Sequence, residues 1–224
     1  LFNEIRLHDK SKILKKEFTS RIENVLFKLG SSLKNFHKLE SEEERFLADE
    51  SELKFQKYLN NLRQFGVNET KLSLIEEQTT KLYGFYSKST YVNNLKGIDI
   101  RQIFLKDEEL HIIDPGKLSK GFPEIDIARF VVTCRILYWG TISILRGTSP
   151  SLKYENSFLE GYYGSDIRPH KMLKLLVIKE ILKHWSMAHL SLTKRKWNLL
   201  VKYFLKKAYI DYFYYKLIIE EMYD

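Results

Sequence analysis

Between Gly97 and Asp126 the chain reads GIDIRQIFLKDEELHIIDPGKLSKGFPEID, and this stretch gathers the side chains best suited to chemistry. Ile103, Leu105 and the Leu110 to Ile113 run predict two short strands, with Lys106, Asp107, Glu108 and Glu109 as the polar turn between them. A hairpin of that kind sets Gln102 at the start of one strand and Asp114 at the exit of the next. Two oxygen-bearing side chains aimed at one spot suit Mg²⁺, a hard cation that bridges nucleotide phosphates. Nearby, Asp99 offers a carboxylate that can accept a proton, and Arg101 can either hold a phosphate or pair with a surface acid. A second turn then leads through Gly121 and Pro123 to Asp126 at the start of a helix.

A lone Asp-Pro-Gly is a common turn, and alone it would make Asp114 structural. The conjunction carries more. Ile113-Asp114-Pro115-Gly116 and Gly121-Phe122-Pro123-Glu124-Ile125-Asp126-Ile127-Ala128 follow the hairpin in order. In this the stretch resembles the catalytic segment of the aminoglycoside phosphotransferase and choline kinase group of small-molecule kinases. That group reads H-G-D-x-x-x-x-N, a hairpin, I-D-F/W/P-G, then G-D-P-x-x-D-L-A. The interval from Gln102 to Asp114 equals the family interval between its two metal ligands, and some sugar-kinase relatives carry Gln in place of Asn.

The resemblance implies a protein-kinase-like fold, ATP and Mg²⁺ as cofactors, and transfer of a phosphoryl group to a hydroxyl of a small-molecule acceptor. It assigns Gln102 and Asp114 to the metal and the nucleotide, and Asp126 to a structural brace of the loop, while Arg101 stays a nucleotide-binding candidate on its charge alone. The family's general base falls at Gly97, which has no carboxylate, and its His-Gly at Leu95-Lys96. Asp99 is then the acid left to serve as base. The alternative is a catalytically inactive kinase-like binding module.

The elements that must hold this stretch are mostly helical. Phe18, Ile22, Val25, Leu26, Leu29, Leu33 and Phe36 recur at helical intervals, and the ending at Phe36-His37 resembles the leucine-x-x-leucine-histidine helix that opens the larger lobe of that family. His37 is read there as a packed or capping residue. Glu42-Glu43-Glu44 predicts a loop or helix N-terminus. Helices are predicted over Leu53 to Phe65, stopping at Gly66, and over Thr70 to Tyr86. Ser87 to Asn94 reads as polar and turn-like. After Asp126, an apolar core helix covers Ile127 to Arg146, and Gly147 to Ser151 break it. A helix around Phe158 to Tyr162, a long one from Pro169 to Leu190, and a last one from Lys194 onward follow. The aromatics of the last, from Tyr203 to Tyr215, are read as core or intersubunit contact.

The fold class expected is therefore mainly α: a kinase-like larger C-terminal lobe with helices around a short catalytic hairpin. It divides as residues 1–90 (helical first half), 91–126 (catalytic loop, hairpin and Asp-Pro-Gly) and 127–224 (acceptor-side helices). No Gly-rich loop or strand lysine precedes these helices, so the smaller N-terminal lobe is expected upstream of Leu1 in a parent chain.

Composition sets the outer bounds. With 224 residues, 44% hydrophobic and 14% aromatic, the chain can bury a core. Its one cysteine excludes an intrachain disulfide framework and predicts a reducing, cytoplasmic setting, with Cys134 as an inert buried thiol. The net charge of +8 suits an anionic partner, but the lysines read as spread along helices, so nucleic acid is not indicated and a membrane surface only weakly. A basic helical module binding nucleic acid or anionic lipid is the third reading. Arg129 and Arg135 interrupt the longest apolar run, which argues for a core helix over a bilayer span. His184 and His189, five apart, do not share a helix face and predict no metal pair.

Overall fold

The heptad-like recurrence of Ile22, Val25, Leu26, Leu29 and Leu33 produces helix α1 (Glu17–Lys38), with these five side chains buried along one face. In the computed structural model the described residues are 17–39, 42–45, 48–83, 89–95, 98–99, 102–106, 109–112, 116, 118–138, 153–165 and 171–223. The other elements are β1 (Glu42–Arg45), α2 (Ala48–Gln64), α3 (Glu69–Tyr83), β2 (Ser89–Leu95), β3 (Ile103–Lys106), β4 (Glu109–Ile112), β5 (Leu118–Gly121), α4 (Glu124–Tyr138), α5 (Lys153–Tyr163), α6 (Lys171–Lys194), α7 (Leu199–Phe204), a π-helical run (Leu205–Asp211) and α8 (Tyr212–Tyr223). Contacts group the chain into two units, Leu1–Glu44 with Thr90–Pro169, and Arg45–Ser89 with His170–Asp224. The mainly helical class is as expected.

In the first unit α1 packs lengthwise on α5. Glycine inside a helix costs about 1 kcal/mol relative to alanine, so Gly30 and Gly161 need a reason. They have one in each other's backbones. A Cβ at Gly30 would overlap the Phe158 carbonyl oxygen, and one at Gly161 the Phe27 carbonyl oxygen. The close approach lets Ser31 Oγ donate to the Gly161 carbonyl at 3.1 Å. Helix α4 is tied to α5 by a two-pronged pair, Arg135 Nε to Glu155 Oε2 at 2.8 Å and Nη2 to Oε1 at 2.6 Å, and Phe130 meets Phe158 with ring centres 4.2 Å apart.

Three expectations are corrected here. Of the segment Ser87 to Asn94, expected to be turn-like, residues 89–94 instead belong to β2. Residues 118–121, expected within a second turn, form β5 and pair antiparallel with β2, Val92 opposite Gly121 and Leu95 opposite Leu118. Glu42 to Arg45 form β1, so the sheet order is β1-β2-β5. Strand pairing supplies the backbone partners that local propensity does not signal. The hairpin expectation stands, with Ile103 opposite Ile112, but Lys106 and Glu109, expected in the turn, are the last paired residues of the two strands. Residues 107–108, 84–88 and 139–152 lie outside the described set, and with them the hairpin turn, the last residues of the helix expected to Tyr86, the C-terminal part of the helix expected to Arg146 and the break after it.

The second unit is built around α6, which buries Met172, Leu175, Leu176, Val177, Ile178, Ile181, Leu182 and Trp185, an apolar surface on several faces. Helices α2, α3 and α8 pack on it. Gly66 ends α2 with φ 70°, its N–H donating to Arg63 O and that of Val67 to Leu62 O, a Schellman closure. Asp211 accepts from Trp185 Nε1 at 2.9 Å and lies 2.7 Å from His189 Nε2. His189 is thus a packed core residue, and no metal cluster occurs among the described residues. The aromatics of the last segment divide: Phe213 and Tyr214 are core, whereas Tyr203, Phe204 and Tyr212 are exposed. Within α6, burial opposes the charge on Glu180, but His184 and Lys183 outweigh it and hold the carboxyl at about 2.

Gly161→Ala should destabilise the chain by about 1–3 kcal/mol in urea unfolding, the clash outweighing the gain in helix propensity. An unchanged or raised midpoint would refute backbone contact between α1 and α5. Because the folded carboxyl of Glu180 lies below its ordinary 4.5, its contribution is complete above that pH and is lost as pH falls toward 2. The stability difference between wild type and Glu180→Gln, followed by urea unfolding from neutral to acid pH, should shrink over that interval.

Candidate active site

Pairing of β2 with β5 returns the chain, after the hairpin, to the point where the candidate loop begins. The turn at Phe122-Pro123 then starts α4, with Ile125 N–H on Phe122 O and Asp126 N–H on Pro123 O. Asp126, in the first turn, is fully buried. Its Oδ2 accepts the Leu95 N–H at 2.6 Å and stands 3.3 Å from His37 Nε2. His37 Nδ1 is 2.8 Å from the Tyr162 hydroxyl. Tyr162, His37 and Asp126 thus form one buried polar chain, and burial raises the Tyr162 phenol.

The other side of the same peptide is held as well. Arg129 Nη1 donates to Leu95 O at 3.2 Å and lies 3.9 Å from Asp126 Oδ1. Burial pushes the Asp126 carboxyl above its usual range, while His37, the Leu95 N–H and Arg129 pull it back. Leu95 is therefore gripped at N–H and C=O by α4, and through His37 and Tyr162 by α1 and α5.

Beyond Leu95, the Ile98 N–H donates to Leu95 O at 3.2 Å and the Gln102 N–H to Asp99 O at 2.9 Å. Ile98 is fully buried and pins the middle of the loop. Asp99 and Gln102, the candidate base and candidate ligand, are thus joined in one turn. Gln102 Oε1 is buried with no hydrogen-bond donor among the described residues. An orphaned amide oxygen of this kind fits a place on a hard cation. Gly97, Arg101 and Asp114 lie outside the described residues.

Sequence reasoning put Asp126 at the loop but missed its partners. His37 is expected only as a packed or capping residue, and Arg129 only as an obstacle to a membrane span. The one local signal was Asp126-Ile127-Ala128-Arg129, whose three-residue spacing puts carboxylate and guanidinium on one helix face. An open cleft of about 340 Å³ is lined by Lys34, His37, Lys38, Val92, Pro123, Tyr162 and Tyr163, and of the candidate residues that are described neither Asp99 nor Gln102 lines it. Cys134 is desolvated, which pushes its thiol well up and leaves it a poor nucleophile.

Across 98% of this chain the fold matches a glucosamine kinase in complex with glucosamine, ADP and inorganic phosphate, with TM-score 0.63 and 9% identity. Two further structures of glucosamine kinase match, crystal form B with TM-score 0.64, 9% identity and 98% coverage, and crystal form A with 0.59, 12% and 92%. The chain spans 55%, 58% and 60% of those kinase chains, respectively. No family model matches the sequence, and no curated protein matches it. The likeness establishes the fold: a mainly helical, kinase-like lobe with small antiparallel sheets.

Asp126→Ala should destabilise the chain by about 1–3 kcal/mol, because the buried Leu95 N–H and His37 lose their acceptor. Hydrogen exchange at the Leu95 amide should quicken by more than at Val92. Equal protection at both amides would show that β2 holds the loop without Asp126.

Proposed function

We propose that this chain is the larger lobe of a small-molecule kinase that transfers the terminal phosphoryl group of ATP to a hydroxyl of a sugar or related metabolite. One observation carries the reading, the Asp126 carboxylate holding the Leu95 N–H at 2.6 Å at the start of the candidate loop. The fold likeness to glucosamine kinases, one of them with a sugar, ADP and phosphate bound, supports a sugar as acceptor. Because the chain spans little more than half of those kinases, the reading assigns the grip on the adenine side to a smaller lobe outside these 224 residues.

In this mechanism Asp99 accepts the proton of the acceptor hydroxyl as its oxygen attacks the terminal phosphorus, and the bond to the ADP oxygen breaks. Gln102 and Asp114 would hold Mg²⁺, which when bound offsets charge on the phosphates. Arg101 neutralises phosphate charge beside them, and Asp126 positions the loop. A second reading, an inactive kinase-like module, has its own observation in Gly97 at the place of the family's base.

Calorimetric titration with ATP and Mg²⁺, on the chain joined to its smaller lobe, tests both. Asp114→Ala should abolish binding, and Asp99→Asn should retain binding but lower transfer to a panel of sugars by about 10²–10⁴-fold. Unchanged binding in Asp114→Ala overturns the kinase reading. Binding with no transfer to any hydroxyl would establish the inactive one.

A further inference from the structure

Helix α7 folds without a core. None of its six residues is buried, and Leu199, Leu200 and Phe204 are 82%, 68% and 65% exposed. Trp197, Val201 and Tyr203 are exposed beside them. The helix is nonetheless well begun, since Asn198 caps it by accepting the Leu200 N–H at 2.8 Å. An apolar surface of this kind on a folded, capped helix marks an interaction site.

Along the chain, the charges that flank it are of one sign. No acid occurs between Glu180 and Asp211, whereas Lys194, Arg195, Lys196, Lys202, Lys206 and Lys207 crowd the same stretch. Lys194, Arg195 and Lys196 are exposed, and the Arg195 guanidinium lies 4.7 Å from the centre of the Trp197 ring. Lys206 is committed to the fold, donating to Phe65 O.

We propose that the segment from Lys194 to Phe204 docks on an anionic lipid surface, Trp197, Leu199, Leu200 and Phe204 entering the headgroup region while the cations meet lipid phosphates. The composition selects this occupant. A basic stretch with Trp, Leu and Phe exposed is what an interfacial helix presents, and tryptophan and tyrosine favour that depth. A second copy in a two-fold contact would bring like charges together. A nucleic acid would use the cations and aromatic rings but leave Leu199, Leu200 and Val201 without a role. Among the described residues no helix is long and apolar enough to cross a membrane, so the contact lies on the surface. The inference does not depend on phosphoryl transfer.

Co-sedimentation of the full chain with vesicles of phosphatidylcholine, alone and mixed with phosphatidylserine, tests it. Binding should favour the mixed vesicles by at least about ten-fold and weaken with salt. Leu199→Ser with Leu200→Ser, and separately Lys194→Glu with Lys196→Glu, should each lower binding to the mixed vesicles at least about ten-fold. Both variants should keep the wild-type circular dichroism, because the side chains changed are exposed. No binding to the mixed vesicles overturns the proposal. So does binding that charge reversal abolishes and the serine pair leaves unmoved, the pattern of a nucleic-acid surface. A concentration-dependent dimer that the serine pair dissociates would also overturn it, in favour of a second copy.

Discussion

A carboxylate with no solvent exposure has to be compensated or it will not stay charged, and in this chain that requirement falls on Asp126. Its compensation comes from residues far apart in sequence. The Leu95 N–H is 31 positions away and His37 is 89. Removing a carboxylate from water costs several kcal/mol, which the contacts from His37, Leu95 and Arg129 must offset together. The acid can therefore be buried only if α1, the end of β2 and the first turn of α4 are all in place. That makes Leu95 one of the best-determined points of the first unit, and the candidate loop starts there.

The same non-local dependence explains what could be read in the sequence. The β3-β4 hairpin and the long helices announce themselves through their own periodicity, because each buries a face its own residues define. Strands β2 and β5 do not. Asn93 and Asn94 disfavour a strand, and Leu118-Ser119-Lys120-Gly121 has one large apolar side chain among four residues. These strands exist because each is the other's hydrogen-bonding partner. At Gly121 a Cβ would stand 2.5 Å from Asn94 Nδ2, so the Asn94 side chain lies where any larger residue would reach.

The C-terminal aromatics were hard to sort for a different reason. A reading at 3.6 residues per turn assumes one phase throughout, but residues 205–211 are π-helical, with wider turns that shift the phase. Before that run Tyr203 and Phe204 are exposed, and after it Phe213 and Tyr214 are core. The run ends at Asp211, whose carboxylate meets Trp185 and His189. Net charge misled in a similar way. A total of +8 looks evenly spread when lysines alone are counted, and the absence of acids from 181 to 210 emerges only when both signs are followed along the chain.

The placement of Asp99 follows from the loop's fixed points. Leu95 is held by Asp126 and Arg129, and Ile103 is buried and paired with Ile112. Between them Ile98 is buried completely, while its neighbour Asp99 is half-buried and closes the turn to Gln102 through its own carbonyl. An apolar anchor directly before the acid limits how far the carboxylate can be displaced without pulling Ile98 out of the core. Burying an isoleucine is worth about 1.5–3 kcal/mol, so that displacement is disfavoured by a comparable amount. If Asp99 does the work of the carboxylate missing at Gly97, the acceptor must come to Asp99 where the buried Ile98 leaves it, because moving the acid far would cost the burial of its neighbour.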